Sequence, residues 1–572
     1  MDIPGKTDSS SPGLRERPRE SPGAMKSPPS ALLPPKMARG FRTQNLSLVI
    51  LGAVGDLAKK KTYPALCTLM CQGFLPTSIT IIGYSRIVMT QDEFHDFLRP
   101  FLKQSPDEIE MFLDRCTYLS TGDSDWVDSP EMSEGFRQLS AHIDSCEELM
   151  GTAPSNRLFY YALPASIYPQ VSVNVDRHCR AKRGGWTRVI LEKPFGHDSE
   201  SAEELATQIG GLFSEEEVYR IDHYLGKEIV QNMMVMRFAN RFLTPIWNRD
   251  NIANVQIIFK EPHGVDGRGA YFDKYGIIRD IIQNHLVQVM ALVAMEKPSS
   301  LNPEDIRDEK LKLLKSIKPV KVQDAAIGQY VANSRGDPGY KDDPSVSPTS
   351  RTETFAMCVL YVNNERWDGV PFILKAGKAL NERKTEVRVQ LRDVPGDIFK
   401  GSDVGMRGRQ GRNEFVIRVQ PDEAIYMKMT VKDPGLEMAI HQSELELVYE
   451  KRYATAPIPE AYERLILDCL NGDQQHFIRR DELRAAWSIF TPLLHYFEAA
   501  GIQPEPYAYG SRGPVSADSL RANTGHVTSC VRCEQLGAGL LCDYHARQQT
   551  DNLAPDGLYT KTPYCNPQPG SP

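Results

Sequence analysis

Eight consecutive residues, Arg220-Ile221-Asp222-His223-Tyr224-Leu225-Gly226-Lys227, carry an acid, a histidine, a phenol and an ammonium directly ahead of a helical run from Glu228 to Phe238. Those types suit an anionic, hydroxyl-rich ligand. His223, Tyr224 and Lys227 can donate to phosphate oxygens, and a charge-assisted contact is worth roughly 1.5–3 kcal/mol. The plainer alternative is a solvated helix start with Asp222 near its positive end. Further on, a strongly apolar helix expected from about Ile277 to Met295 contains His285, with Ile278, Ile281 and Val289 on its own face. A histidine in such company serves packing or acts as a base. Asp280, five residues earlier, falls about 140° around an α-helix from His285. The two cannot simply stack, although both could flank a ligand.

A second constellation lies upstream. The apolar run Leu46–Leu51 suits a buried parallel strand. It leads into Gly52-Ala53-Val54-Gly55-Asp56-Leu57, a helix from Ala58 to about Gln72, and a second strand, Ile79–Tyr84. Strand, glycine turn, helix and strand form a βαβ unit whose turn and helix N-terminus suit a dinucleotide pyrophosphate. After the second strand stands Arg86 rather than an acid, with Lys59, Lys60 and Lys61 at the first helix. An arginine there accommodates a 2′-phosphate, which favours NADP over NAD; a solvated basic face is the other reading. Asn156–Pro164 and Arg188–Gly196 read as further passes, the latter delivering Lys193 to the strand end where ligands bind. Val255–Glu261 is a strand ending in the carboxylate of Glu261. Short alternating stretches between Glu353 and Glu450 predict a large antiparallel sheet, and Ala461–Ala500 is mainly helical.

These motifs together resemble the glucose-6-phosphate dehydrogenase family: GxxGDLAKKK (Gly52–Lys61), EKPFG (Glu192–Gly196), RIDHYLGKE (Arg220–Glu228), GIIRDIIQNHL (Gly276–Leu286), WDGVPF (Trp367–Phe372), GKALNERK (Gly377–Lys384) and YGSRGP (Tyr509–Pro514). They occur in one order from about Leu46 to Pro514. The resemblance implies oxidation of glucose 6-phosphate to 6-phosphogluconolactone with hydride passing to NADP+. It implies His285 as general base and Asp222 as the carboxylate orienting it. His223, Tyr224 and Lys227 match the 6-phosphate site. Lys193, Glu261, Asp280, Lys378, Arg383 and Gln420 match positions contacting the sugar or its phosphate. Gly52, Ala53, Val54, Gly55, Asp56, Leu57, Lys59, Arg86, Tyr168 and Lys193 match the coenzyme site, with Val54 where the family often has a serine. Some members hold a second, structural NADP+; Lys384, Arg388, Arg418, Tyr426, Lys428 and Arg512 match it here, with Lys375 in place of an arginine. Members form homodimers and homotetramers.

The fold class this implies is an α/β Rossmann-type coenzyme domain (46–220) followed by a larger α+β domain with a mainly antiparallel sheet (221–514), for substrate binding and dimerisation. A Pro/Ser/Arg-rich arm (1–45) without an apolar signal core reads as disordered. The tail (515–572) holds Cys530-x₂-Cys533-x₈-Cys542-x₂-His545, either a tetrahedral zinc set with an unusually short spacer or a disordered or redox-active segment. Of 572 residues 41% are hydrophobic and 25% charged, with a net charge of −7. That balance excludes a nucleic-acid binder relying on a global positive field, and the sequence has no run of 18 apolar residues to imply a membrane span. Seven scattered cysteines between Cys67 and Cys469 fit a reducing, cytoplasmic setting. Two rivals stand beside the main reading. One is another NAD(P)-linked sugar oxidoreductase, since E-K-P occurs elsewhere; the other is a non-catalytic homologue acting through its tail.

Overall fold

The computed structural model describes residues 44–122, 130–151, 153–399, 411–454 and 458–524; the Cys530/Cys533/Cys542/His545 set lies outside them. Two sheets organise the chain. The first comprises β1 (Asn45–Leu51), β2 (Ile79–Ser85), β3 (Cys116–Ser120), β4 (Ser155–Tyr161), β5 (Thr187–Leu191) and β6 (Val218–Arg220). All are parallel, in the order β3-β2-β1-β4-β5-β6. The order reverses between β1 and β4, which is where a doubly wound sheet opens its ligand crevice. Both faces of β1 and β4 are buried, as helices on either side require.

The second sheet contains β7 (Ile252–Lys260), β8 (Ala325–Val331), β9 (Phe355–Tyr361), β10 (Pro371–Gly377), β11 (Lys384–Leu391), β12 (Glu414–Gln420), β13 (Ala424–Lys432), β14 (Ile440–Val448) and β15 (Glu505–Ala508). Its order is β14-β13-β12-β11-β7-β10-β9-β8-β15. Most pairs are antiparallel, as the alternating stretches predict, but β7 with β10 and β15 with β8 are parallel. The central parallel pair matters, because it brings two strand C-termini to the same rim.

The apolar helix differs most from expectation. It is one helical run, Gly269–Ala294, broken at Gly276 (φ 71°, ψ 170°), and its middle stretch, Ile278–Leu286, is π-helical. Its length and hydropathy would suit a membrane span, yet 89% of its most apolar window is buried inside the protein. It is a core helix. The coenzyme-side helix also opens with a π turn, Ala58–Thr62, before Tyr63–Cys71 continues as α-helix. Residues 515–523, the start of the segment expected as a divergent tail, form a helix. Ala517 is buried in the core, and the amides of Val515 and Ser516 donate to the Glu505 carboxylate at 3.0 and 3.1 Å.

Candidate active site

Strand ends place most of the polar groups. β5 and β6 are parallel neighbours, with Leu191 opposite Arg220. Lys193 and Asp222 therefore both lie two residues beyond the C-terminal ends of adjacent strands, where side chains leave the sheet towards the crevice. The same logic repeats in the larger sheet. β7 and β10 run parallel with Lys260 opposite Gly377, so Glu261 and Lys378 emerge together and pair at 2.6 Å. Arg383 precedes β11 and Gln420 ends β12, and Thr385 pairs with Gln420 across those strands. One rim thus collects Glu261, Lys378, Arg383 and Gln420.

The helical run delivers the rest. In an α-helix, positions five apart diverge, but the i→i+5 bonding of a π segment makes them neighbours on one face. Asp280 and His285 accordingly line the same cleft of about 470 Å³. That cleft is lined by Lys193, His223, Tyr224, Glu261, Asp280 and His285. Lys378, Arg383 and Gln420 complete the set expected from the sequence. Asp222 stands behind His285, and Lys227 stands behind Gln420, donating to its Oε1 at 3.3 Å.

The His285 Nδ1 to Asp222 Oδ1 distance is 2.5 Å, with both side chains almost wholly buried. Asp222 Oδ1 also accepts from the Tyr224 amide at 2.9 Å, while its Oδ2 has no partner. Burial opposes ionisation of Asp222, but the coupling to His285, by charge when the ring is protonated and by the Nδ1 hydrogen bond, outweighs it and holds the carboxyl at about 2. Burial holds His285 below its ordinary value, with Asp222 pulling the other way. The consistent state is a neutral imidazole donating Nδ1–H to a carboxylate, which leaves Nε2 as the acceptor. The ring is sandwiched, since Tyr224 stacks on it at 4.6 Å and His223 meets it edge-on at 4.7 Å. His223 is itself pushed well down, first by burial and then by the His285 charge. Asp222, His223 and His285 offer ligand atoms within 4.8 Å of one another, a spacing a cation could bridge. The short Nδ1–Oδ1 contact instead commits one atom of each of Asp222 and His285 to the other.

Lys193 donates to Asp280 Oδ1 at 3.0 Å and to its carbonyl at 2.7 Å. Burial would raise Asp280, but Lys193 and Lys378 bring it below the usual range. Lys227 lies 5.3 Å from the Tyr224 ring centroid, and burial lowers its ammonium despite Glu423 nearby. Several lining groups have no counterpart among the residues expected from the sequence: Arg268, Tyr271 and Phe272 line the cleft, and Tyr462 stacks on His223. Arg268 and Tyr271 sit in a loop and first turn without a distinctive spacing. Glu192, inside the EKPFG motif, is buried, accepts from Tyr160 at 2.5 Å and is pushed up by burial to about 7.

On the coenzyme side, Gly52 has φ 85°, and a Cβ there would collide with the Ala162 carbonyl. Only glycine therefore fits between β1 and the chain leaving β4. Ala53, Val54 and Gly55 complete the turn, and the helix opening at Asp56 and Leu57 leaves its first amides without intrahelical acceptors. Lys59 pairs with Asp56 at 2.9 Å, and Arg86 is exposed just beyond β2. The residues present thus fit a dinucleotide. Tyr168 is fully buried and donates to the Glu192 carbonyl at 2.9 Å, directly ahead of Lys193.

Of the residues expected for a second nucleotide, Lys384, Arg388, Arg418, Tyr426 and Lys428 lie on β11, β12 and β13 of the larger sheet, and three of them are paired with acids. Lys384 pairs with Glu382, Arg388 with Glu386 and Glu414, and Lys428 with Glu444. Arg418 donates to the Asp422 carbonyl, and Arg388 bears on Tyr426 electrostatically. Lys375 is buried and donates to the Arg512 carbonyl at 3.1 Å. Burial, then the charges of Lys260 and Arg521, push its ammonium down to about 7.

Comparison with known proteins agrees across nearly the whole described chain. Residues 49–232 match the family described as "Glucose-6-phosphate dehydrogenase, NAD binding domain", and residues 234–528 match "Glucose-6-phosphate dehydrogenase, C-terminal domain". Glucose-6-phosphate 1-dehydrogenase 5, cytoplasmic, of Arabidopsis thaliana is 56% identical over 496 residues, covering 85% of this chain and 92% of the relative. The cytoplasmic isoform of Solanum tuberosum is 55% identical, covering 84% and 92%. A solved structure described as glucose-6-phosphate dehydrogenase in complex with its substrate glucose-6-phosphate superposes with a TM-score of 0.79 at 45% identity, covering 85% of this chain and 99% of that one.

Proposed function

The chain belongs to the glucose-6-phosphate dehydrogenase family, and from that premise we propose how its own residues carry the reaction. It is an NADP-dependent oxidoreductase, converting glucose 6-phosphate to 6-phosphogluconolactone, the first oxidative step of the pentose phosphate pathway, in the cytoplasm. When bound, NADP+ accepts the hydride that leaves C1. His285 Nε2 takes the C1 hydroxyl proton. A hydroxyl with a pKa far above 7 needs such a base as hydride departs, a contribution of about 10²- to 10⁴-fold. Asp222 keeps the base in the required tautomer and compensates the imidazolium, whose burial would otherwise be costly. Lys193, Asp280, Glu261 and Lys378 position the sugar. His223, Tyr224, Lys227, Arg383 and Gln420 hold the 6-phosphate, and the Gly52–Leu57 turn with Arg86 holds the coenzyme phosphates.

The observation that carries this reading is the buried 2.5 Å Asp222–His285 contact at the base of the cleft. Initial rates with glucose 6-phosphate and NADP+, beside NAD+ and beside unphosphorylated glucose, test it. His285→Asn should abolish turnover while sparing substrate binding, and an unchanged kcat would remove His285 from the base role.

We further propose the division into 46–220 and 221–514, and a homodimer or homotetramer formed through the larger sheet. Apolar side chains exposed on its outer strands, Met429, Val431 and Leu445, support that assembly. Sedimentation of the purified protein tests it. The mainly cationic set Lys384, Arg388, Arg418, Tyr426, Lys428 and Arg512 suits a second NADP+. Nucleotide retained after gel filtration would support that site.

A further inference from the structure

The helix that carries Asp280 and His285 does not hold its own first turn. Gly276 breaks it, and the residue that fills the break is Glu353, just ahead of β9. The Glu353 carbonyl accepts from the Ile277 amide at 2.9 Å, and its carboxylate Oε1 accepts from the Ile278 amide at 3.3 Å. A Cβ on residue 276 would collide with that carboxylate. Two of the amides that a new helix start leaves without intrahelical acceptors are thus satisfied from a strand of the larger sheet. From that point Asp280 follows two residues after Ile278, and His285 seven.

We propose that Glu353 is a positioning residue for the reaction: its carboxyl oxygen sets the start of the π-helical segment, and through it the alignment of His285 with Asp222 and of Asp280 with Lys193. This rests on the reading of His285 as the base. A π segment closes its ring through i→i+5 bonds and is a rare departure from the α geometry on either side of it. A return to α geometry would turn Asp280 away from the cleft while leaving the helix packed. Anchoring the first turn to the sheet opposes that slip. Arg279, the next residue, is fixed as well, by Glu498 and by the His197 and Tyr275 carbonyls. A cavity of about 280 Å³ has Glu353, Arg279, Arg351, Lys274, Glu498 and Asp273 in its wall. Burial raises the Glu353 carboxyl to about 7, with Arg279 opposing. Either protonation state keeps an oxygen to accept from Ile278, so a neutral amide can replace it.

The test compares Glu353→Asp, which withdraws the acceptor by one methylene, with Glu353→Gln, which keeps it. Both are measured on the full chain beside His285→Asn. The expected result is a kcat at least tenfold lower for Glu353→Asp, with the KM for glucose 6-phosphate within threefold of the parent. Glu353→Gln should retain kcat within threefold. Equal losses in the two variants, or a fully active Glu353→Asp, would overturn the proposal. Should Glu353→Asp not fold, a Glu353→Gln that loses tenfold in kcat overturns it, and one that keeps kcat supports it. His285→Asn separates the two readings, because its retained turnover would reject the base assignment itself, whatever Glu353 does.

Discussion

Replacing Asp222 by Asn removes one charge and little else. Asn Oδ1 can still accept from the Tyr224 amide and from His285 Nδ1, as Asp222 Oδ1 does at 2.9 and 2.5 Å. The loss is therefore only the charge's share of a hydrogen bond between buried groups: a charge-assisted bond of roughly 1.5–3 kcal/mol is about twice as strong as a neutral one, so about 0.75–1.5 kcal/mol goes. If that share is felt as the imidazolium forms, kcat falls by about 4- to 13-fold, at 1.36 kcal/mol per decade. The new amide NH₂ would take the place of Oδ2, which has no partner, and so adds an unsatisfied donor costing about 1–3 kcal/mol of stability. The pH profile carries a sign of its own. Asp222 raises the pKa of His285 against the effect of burial. Without the carboxylate the base stays neutral to lower pH, so the acidic limb of kcat moves down while the plateau drops. Initial rates from pH 5 to 9, with thermal unfolding measured alongside, give all three quantities. A plateau unchanged within twofold, or a limb that moves up, would refute the reasoning.

Lys227→Ala should mainly raise the KM for glucose 6-phosphate, with kcat little changed; an equal response with unphosphorylated glucose would remove Lys227 from the phosphate site. Arg86→Ala should lower kcat/KM for NADP+ far more than for NAD+, because only the former carries a 2′-phosphate, and parallel losses would refute that role. Lys375→Met tests linkage. The native ammonium titrates near 7 against about 10.4 unfolded, so between those values the unfolded chain binds the extra proton and stability rises with pH. That rise should flatten in the variant, as read from urea unfolding between pH 6 and 10, and an unaltered slope would refute it.

Much of this site is written locally. Gly52–Leu57 between an apolar run and a helix, and Arg86 after the next strand, are legible because a βαβ unit closes within a few dozen residues. The octapeptide Arg220–Lys227 is legible because its donors are adjacent. Residue types alone also suggest the proposed chemistry, an imidazole for proton transfer and ammonium groups for phosphate. What residue types cannot state is which groups meet. Asp222 reaches His285, Lys193 reaches Asp280, and Lys227 reaches Gln420 only through the register of two sheets. The parallel pairing of β7 with β10, which joins Glu261 to Lys378, departs from the antiparallel pattern the alternating stretches suggest. Periodicity is blind to the π segment too, because one extra residue per turn leaves an apolar helix apolar. Only packing against the sheet, with Glu353 at Gly276, decides that Asp280 and His285 share a face. Tyr168 is another case: residue type does not say that it is buried, and only the fold sets its hydroxyl against the Glu192 carbonyl.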